Sequence, residues 1–254
     1  MKKAILLMTI VLLGACSATS ADHQPELMVS AASSLSGAMS AIETEFHNRH
    51  PEINVRFNYG SSGKLRNQIQ QGAPADVFLS ASAEDMNLLL KESFVAKDTI
   101  VNFAENRLVL VSAKTIGETD LRQALENATS RIAIGEPASV PVGTFTKNAL
   151  LDLDLWDIIE DQLIFAKDAK QVLSYVESGN AEMGFVYLSD ARVSQKVETL
   201  IDVPMSGQEV FYPAGILEKT DNRQAAEYFI SFLLSEDGQQ LLEDYGFANV
   251  EGET

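Results

Sequence analysis

Cysteine and positive charge are both scarce in this sequence of 254 residues. The single cysteine, Cys16, has no partner for a disulfide within the chain, which excludes a disulfide-stapled fold. Lys and Arg number 19 against 36 Asp and Glu, so the formal net charge is −17. Proteins that bind nucleic acid need a basic surface, so this charge argues against a nucleic-acid partner. It also argues against a polybasic patch that binds membrane lipids.

The sequence also has no long apolar run. A short apolar run lies near the N-terminus. Lys2 and Lys3 precede an apolar run over residues 4–13, which is too short for a permanent membrane span and is typical of a secretory signal. The sequence LGAC at 13–16 resembles the lipobox of bacterial lipoproteins, where cleavage leaves a lipidated cysteine. We therefore expect a signal peptide over 1–15, lipidation at Cys16 and a tether over 16–26. An ordinary signal with an incidental cysteine is the alternative.

Beyond the tether, strand patterns alternate with helix patterns. With 46% hydrophobic residues the chain has enough apolar surface for a globular core. A helix after the first strand has an apolar face at helical spacing, and a long helix is predicted to contain Ala149, Leu150, Leu153 and Trp156. Strands are predicted at 27–32, 53–59, 75–81, 107–113, 131–137, 183–187 and 210–217. This β-loop-α repetition predicts an α/β fold with a mainly parallel sheet and helices on its faces.

Strand-to-helix junctions are the places to look for a ligand, because open α/β sheets bind ligands beyond the carboxyl ends of their strands. Four junctions share one chemistry: Ser33-Ser34, GSSG at 60–63, EPASVPVGTF at 136–145, and AKDAKQVL at 166–173. Each offers free N–H groups at a helix N-terminus, where the helix dipole favours an anion. Two add hydroxyls, and none contains an arginine. Helix capping explains any one serine, but several such loops can converge on one cleft.

The stretch GSSGKL at 60–65 also has two catalytic interpretations. Ser61 and Lys64 form S-x-x-K, so an exported serine acyl-enzyme is an alternative function. The nearest partner motifs, SDA at 189–191 and KTD at 219–221, do not match those of penicillin-recognising enzymes. The spacing also differs from that of a phosphate-binding P-loop. We therefore expect neither an enzyme nor a cofactor.

Several stretches together resemble one family, the periplasmic molybdate-binding components of bacterial molybdate ABC transporters, over residues 27–250. They are AASSLSGAM (31–39), GSSGKL (60–65), QGAPADVFLSAS (71–82), GEPASVPVGTFTKNAL (135–150), GFVYLSDA (184–191) and YGF (245–247). The resemblance implies a type II periplasmic-binding-protein fold: two α/β lobes, each a mainly parallel sheet flanked by helices, with the ligand in the cleft between them. It implies one lobe from residues 27–103 plus 211–250 and the other from 104–210.

The resemblance also implies the ligand contacts. Ser34 and Ser62 would each give a hydroxyl and a backbone N–H, Val142 and Ala169 a backbone N–H, and Tyr187 its hydroxyl. Molybdenum would be held as molybdate through these donors, without direct metal ligands. Molybdate at neutral pH is a dianion that only accepts hydrogen bonds, so a site of donors suits it, as it suits tungstate and sulfate. Phosphate often carries a proton and tolerates or needs an acceptor.

The implied partners are a small oxyanion and the membrane permease of an ABC importer, with no nucleic acid. The resemblance implies a monomer on the periplasmic or extracytoplasmic face, lipid-anchored to the membrane and touching it through that anchor alone. The same clamp binding sulfate or an organic anion remains an alternative ligand assignment. A carboxylate receptor would usually have an arginine in its cleft, and these loops have none.

Overall fold

The computed structural model describes residues 26–205, 207 and 209–250. The predicted signal peptide, the predicted lipidation site Cys16 and the tether up to residue 25 lie outside the described residues. Within the described part of the chain, every helix is too short or too polar to cross a membrane.

The described residues form two sheets, and the first of them, sheet I, has five strands: β1 (Glu26–Ala32), β2 (Asn54–Gly60), β3 (Val77–Leu79), β4 (Val101–Asn106) and β10 (Val210–Ile216). Their order across the sheet is β2-β1-β3-β10-β4. β1 pairs in parallel with β2 and β3, whereas β10 runs antiparallel to both of its neighbours.

The second sheet, sheet II, also has five strands: β5 (Leu108–Ser112), β6 (Ile132–Gly135), β7 (Leu163–Ala166), β8 (Met183–Tyr187) and β9 (Thr199–Asp202). Their order is β7-β6-β8-β5-β9. β6 pairs in parallel with β7 and β8, and β5 runs antiparallel to β8 and β9. The two sheets therefore repeat one plan, in which a single antiparallel strand interrupts a parallel arrangement.

Helices flank both sheets. They are α1 (Ser36–Arg49), α2 (Ser62–Gln70), α3 (Ala83–Lys91), α4 (Leu121–Glu126), α5 (Pro141–Asp152), α6 (Trp156–Ile159), α7 (Ala169–Glu177), α8 (Leu188–Val193), α9 (Arg223–Leu233) and α10 (Glu236–Asp244). Short 3-10 helices cover Ser33–Leu35, Lys97–Thr99 and Glu160–Gln162. Two sheets with flanking helices confirm the predicted α/β class with two lobes, here named lobe I and lobe II after their sheets.

The chain passes between the sheets at two places. Arg107 alone separates β4 from β5, and residues 203–209 separate β9 from β10. The residue limits predicted for the lobes, 27–103 with 211–250 and 104–210, stay a prediction.

The apolar face predicted for the first helix is confirmed. Ala38, Met39, Ile42 and Phe46 of α1 are all fully buried, and Leu35 just before the helix is buried with them. Burying a large apolar side chain stabilises the fold by about 1.5–3 kcal/mol. The ring of Phe46 packs edge-on against a ring of α9, with centroids 5.3 Å apart, which holds α1 against the C-terminal part of the chain.

The prediction of one long helix through Leu153 and Trp156 is wrong. α5 ends at Asp152, and Trp156 begins a separate short helix. Asp154 adopts a left-handed backbone with φ 53°, and the N–H of Leu155 donates back to the carbonyl of Leu150 at 2.8 Å. This is the hydrogen-bond pattern of a Schellman motif, which ends a helix even where the apolar spacing continues.

Asp76 of the GAPADVF stretch has a structural role. Its buried carboxylate accepts hydrogen bonds from the N–H of Met28 at 2.7 Å, the hydroxyl of Thr220 at 2.5 Å and the amide of Asn222 at 3.2 Å. These partners belong to β1 and to the segment that enters α9. A buried carboxylate satisfied in this way fixes the position of these elements relative to β3.

Candidate anion-binding site

The register of the first parallel pair brings two serine loops together. Ala32 at the end of β1 lies opposite Gly60 at the end of β2. Ser34 and Ser62 therefore follow the sheet edge at the same level, two residues beyond it in both cases. Ser34 lies in the 3-10 helix that leads into α1, and Ser62 is the first residue of α2.

Ser62 is fully buried, and the hydrogen bond that its hydroxyl oxygen accepts shows that its proton is available to another acceptor. Its oxygen accepts a hydrogen bond from the backbone N–H of Ala81 at 3.0 Å. A hydroxyl that accepts in this way keeps its own proton for a further acceptor. Ser61, in contrast, is the N-cap residue of α2 and has no capping bond from its side chain, while Lys64 is exposed.

Ser34 is buried and contacts a buried tyrosine. Its hydroxyl oxygen lies 2.9 Å from the hydroxyl oxygen of Tyr212 in β10. The Tyr212 hydroxyl also accepts a hydrogen bond from the side-chain amide of Asn106, at 3.3 Å. Tyr212 was not among the residues predicted from the sequence, because an aromatic residue in an apolar strand is typical of the core.

A second parallel pair positions the loops of lobe II. Gly135 at the end of β6 lies opposite Ala166 at the end of β7. Val142 follows Pro141 in the first turn of α5, and Ala169 is the first residue of α7. Both residues are buried, and N–H groups in the first turn of a helix have no acceptor within the helix.

Tyr187 ends β8, and its side chain is 1% exposed. Its hydroxyl oxygen is buried without a hydrogen-bond partner among the residues that the structure describes. Burial, with smaller contributions from Tyr212 and Asp190, raises the pKa of Tyr187 well above its ordinary value. The hydroxyl therefore stays protonated at neutral pH and remains a donor.

Contacts between the lobes place these two groups of residues face to face. The 3-10 helix Ser33–Leu35 contacts α7, and the ring of Tyr187 packs edge-on against that of Tyr212 with centroids 5.9 Å apart. Gly63 in α2 lies so close to the loop before α5 that a Cβ atom added there would be 2.8 Å from the carbonyl oxygen of Ser139. These contacts bring together elements that carry the predicted contact residues of the two lobes.

Two carboxylates beside these donors were missed by the sequence argument. Asp168 is the N-cap residue of α7, and its side chain accepts from the N–H of Gln171 at 2.8 Å. Asp190 is buried in α8 and accepts from the N–H of Tyr187 at 3.4 Å. An Asp directly before a helix, or at its third residue, is a capping signal that could have identified both. Each carboxylate therefore accepts a hydrogen bond from a backbone N–H at the N-terminus of its own helix.

Burial also changes the pKa of Asp190. Desolvation raises the pKa of its carboxyl to about 7; the hydrogen bond from Tyr187 opposes this rise, Asp168 adds to it and Lys170 opposes it. At acid pH the group is neutral, and near neutrality part of the population is charged.

An open cleft of about 820 Å³ adjoins the site and shares one of its residues. Ser34 and Asp190 belong to its lining together with Glu43, Arg56 and Lys170. Arg56 is paired with Glu26 at 2.9 Å, so its charge is already compensated. Within the described ranges, His, Cys, Asp and Glu residues form no cluster that could hold a metal ion.

Comparison with known proteins identifies the relatives of this chain. Residues 27–248 match the profile of the family described as bacterial extracellular solute-binding protein. A chain assigned as the ABC-transporter substrate-binding lipoprotein YvgL of Bacillus subtilis is 38% identical, over 91% of this chain and 89% of its own length. The molybdate-binding protein ModA of Haemophilus influenzae is 35% identical, over 88% of this chain and 90% of its own length. The solved periplasmic molybdate-binding protein of Azotobacter vinelandii superposes with a TM-score of 0.82 at 25% identity, over 89% of this chain and 100% of its own.

The raised pKa of Asp190 predicts how stability changes with pH. Between about pH 4 and pH 7 the unfolded chain ionises this carboxyl while the folded protein keeps it protonated. The unfolded state then binds fewer protons, so wild type loses stability relative to Asp190→Asn as pH rises through this window. We expect the difference in free energy of unfolding to shift against wild type by about 2–4 kcal/mol. Urea denaturation at several pH values measures it. A difference that stays constant from pH 4 to 8 would contradict the buried, protonated carboxyl.

Proposed function

The chain belongs to the bacterial extracellular solute-binding proteins, and we propose that the solute it captures is molybdate. As a member of this family it is the substrate-binding component of an ABC transporter, acts outside the cytoplasm and has a membrane permease as its partner. It is a binding protein and not an enzyme, so the acyl-enzyme interpretation of Ser61 and Lys64 is wrong.

One observation carries the molybdate proposal: the buried hydroxyl of Tyr187 lacks a partner among the described residues, although its ring packs against Tyr212 of the other lobe. An unpaired buried donor costs free energy of about 1–3 kcal/mol unless a ligand accepts from it. Ser62 keeps a hydroxyl proton for the same purpose. Such donors suit an anion that has only acceptors. The molybdate-binding relatives of this chain support the same assignment.

The neutral donors also explain how a strongly acidic protein can hold a dianion. Hydrogen bonds to a charged group contribute about 1.5–3 kcal/mol each. The first turns of α2, α5 and α7 add the positive ends of their helix dipoles. The proposed site therefore needs no lysine or arginine. Tungstate has the same charge and the same acceptors, so we extend the proposal to it.

Contacts from both lobes couple binding to closure. Ser34 and Ser62 belong to elements of lobe I, whereas Val142, Ala169 and Tyr187 belong to elements of lobe II. An anion held by both groups stabilises the closed form in proportion to its added contacts. The closed form would then deliver the anion to the permease.

We further infer that the protein is a monomer anchored to the membrane by a lipid on Cys16. The lipobox-like sequence LGAC supports the lipid anchor, and so does the lipoprotein assignment of the Bacillus subtilis relative. An anchor followed by a short tether would keep the receptor near its permease.

The ligand is tested by isothermal titration with molybdate, tungstate, sulfate and phosphate at one pH and salt concentration. We expect tight one-to-one binding of molybdate and tungstate, weaker binding of sulfate, and phosphate weakest because its proton finds no free acceptor. Binding of phosphate without binding of molybdate would contradict the proposal. Tighter binding of sulfate than of molybdate would leave the two-lobed binding mode intact and show that the ligand is sulfate.

Two substitutions test the proposed contacts. Ser62→Ala and Tyr187→Phe each remove one donor, so each should weaken molybdate binding about ten- to hundredfold without unfolding the protein. Ser130→Ala and Tyr228→Phe change the same atoms at exposed positions and serve as controls. Titration calorimetry gives the affinities and thermal melting checks the fold. Unchanged affinity in both site variants would show that the anion binds elsewhere.

A third substitution tests closure. Gly63→Ala would press a Cβ atom against the carbonyl oxygen of Ser139, which belongs to the other lobe. Overpacking of this kind costs about 1–3 kcal/mol, so molybdate affinity should fall about tenfold. Gly117→Ala is the control, because nothing lies within 4 Å of a Cβ atom there. Equal affinities of the two variants would contradict a closed state that depends on this close approach.

A further inference from the structure

We propose that Asn106 and Tyr212 form a hydrogen-bond relay that orients the Ser34 hydroxyl toward the bound anion. In this relay Tyr212 is a positioning residue, which acts through Ser34 and need not touch the ligand. The inference rests on the proposed function, because it requires an oxyanion at Ser34.

The relay begins at an amide whose orientation is fixed. The backbone N–H of Arg107 donates to the side-chain oxygen of Asn106 at 2.9 Å. A backbone N–H can only donate, so the atom that it meets must be the oxygen of the amide. The nitrogen of the Asn106 side chain therefore faces the other way, toward Ser189 at 2.8 Å and Tyr212 at 3.3 Å.

The direction of the bond from Asn106 to Tyr212 is fixed by chemistry, and the relay assigns the direction of the bond from Tyr212 to Ser34. The Asn106 nitrogen has no lone pair to offer, so the Tyr212 hydroxyl accepts from it. Tyr212 then has its own proton left, and its other recorded partner is the Ser34 oxygen at 2.9 Å. In the proposed relay Tyr212 donates that proton to Ser34, which leaves the Ser34 proton directed away from Tyr212. A bound oxyanion would be its acceptor.

The surroundings keep the relay rigid and neutral. Ser34, Asn106 and Tyr212 are all buried, and the Tyr212 ring packs edge-on against Phe103 and Phe247. Burial raises the pKa of Tyr212 far above its ordinary value, so its proton is present at neutral pH.

The relay also lies where the chain passes between the lobes. Asn106 is the last residue of β4 before the passage at Arg107, and Tyr212 lies in β10 just after the second passage. Asn106 reaches lobe II through its bond to Ser189 in α8. The orientation of the Ser34 proton therefore depends on Asn106 and Tyr212, which lie next to the two connections between the lobes.

A double-mutant cycle with molybdate tests the relay. Tyr212→Phe should weaken binding about two- to tenfold, because the Ser34 hydroxyl survives but loses its orientation. Ser34→Ala should weaken it more, and adding Tyr212→Phe to Ser34→Ala should cause no further loss. A purely structural role for Tyr212 predicts the same loss in both backgrounds, and that result would overturn the relay.

A second variant keeps the proposal testable if Tyr212→Phe fails to fold. Asn106→Asp still accepts from the N–H of Arg107 but replaces the donor with an acceptor, so the proton of Tyr212 turns away from Ser34. Affinity should fall at least as far as in Tyr212→Phe, and an unchanged affinity would contradict the relay. Tyr228→Phe, at an exposed tyrosine, is the matched control. If wild type fails to bind molybdate, the proposed function itself is wrong; additive losses overturn the relay alone.

Discussion

The parallel pairing of β1 with β2 and of β6 with β7 is the constraint on which the site depends. Parallel strands end at one edge of their sheet, so the loops that follow them enter helices side by side. In sheet I the register ends at Ala32 and Gly60, and in sheet II at Gly135 and Ala166. Each pair of strand ends thus delivers two helix N-termini to one place. Four such ends and Tyr187 are the groups that would supply N–H and O–H donors to the proposed site.

Electrostatics makes this arrangement selective. The chain carries a net charge of −17, so no general attraction brings an anion to it. Asp168, and the part of the Asp190 population that is charged near neutrality, add to the local repulsion, but both side chains accept from N–H groups of their own helix ends. Binding must therefore come from short-range donors that fit one geometry. A protonated ligand such as hydrogen phosphate would have to donate to a carboxyl group that already accepts a hydrogen bond from a backbone N–H.

Much of the fold and the position of the candidate loops could be predicted from the sequence. The strand patterns at 27–32 and 53–59, each followed by a pair of serines within two residues, indicated β1, β2 and the junctions beyond them. What the sequence could not supply depends on contacts between distant segments. Tyr212 reads as a core aromatic until its hydroxyl is seen beside Ser34, which is 178 positions away. Helix ends set by backbone conformation, as at Asp154, escape a pattern based on side-chain spacing.

The central claim is that neutral donors from both lobes hold the anion. A crystal structure of the protein with molybdate, with the metal located by its anomalous scattering, tests this most directly. The account predicts one molybdenum peak enclosed by Ser34, Ser62, Tyr187 and the first turns of α5 and α7, with oxygen atoms alone around the metal. A peak beside Arg56 and Lys170, with Ser62 and Tyr187 out of contact with the anion, would contradict it.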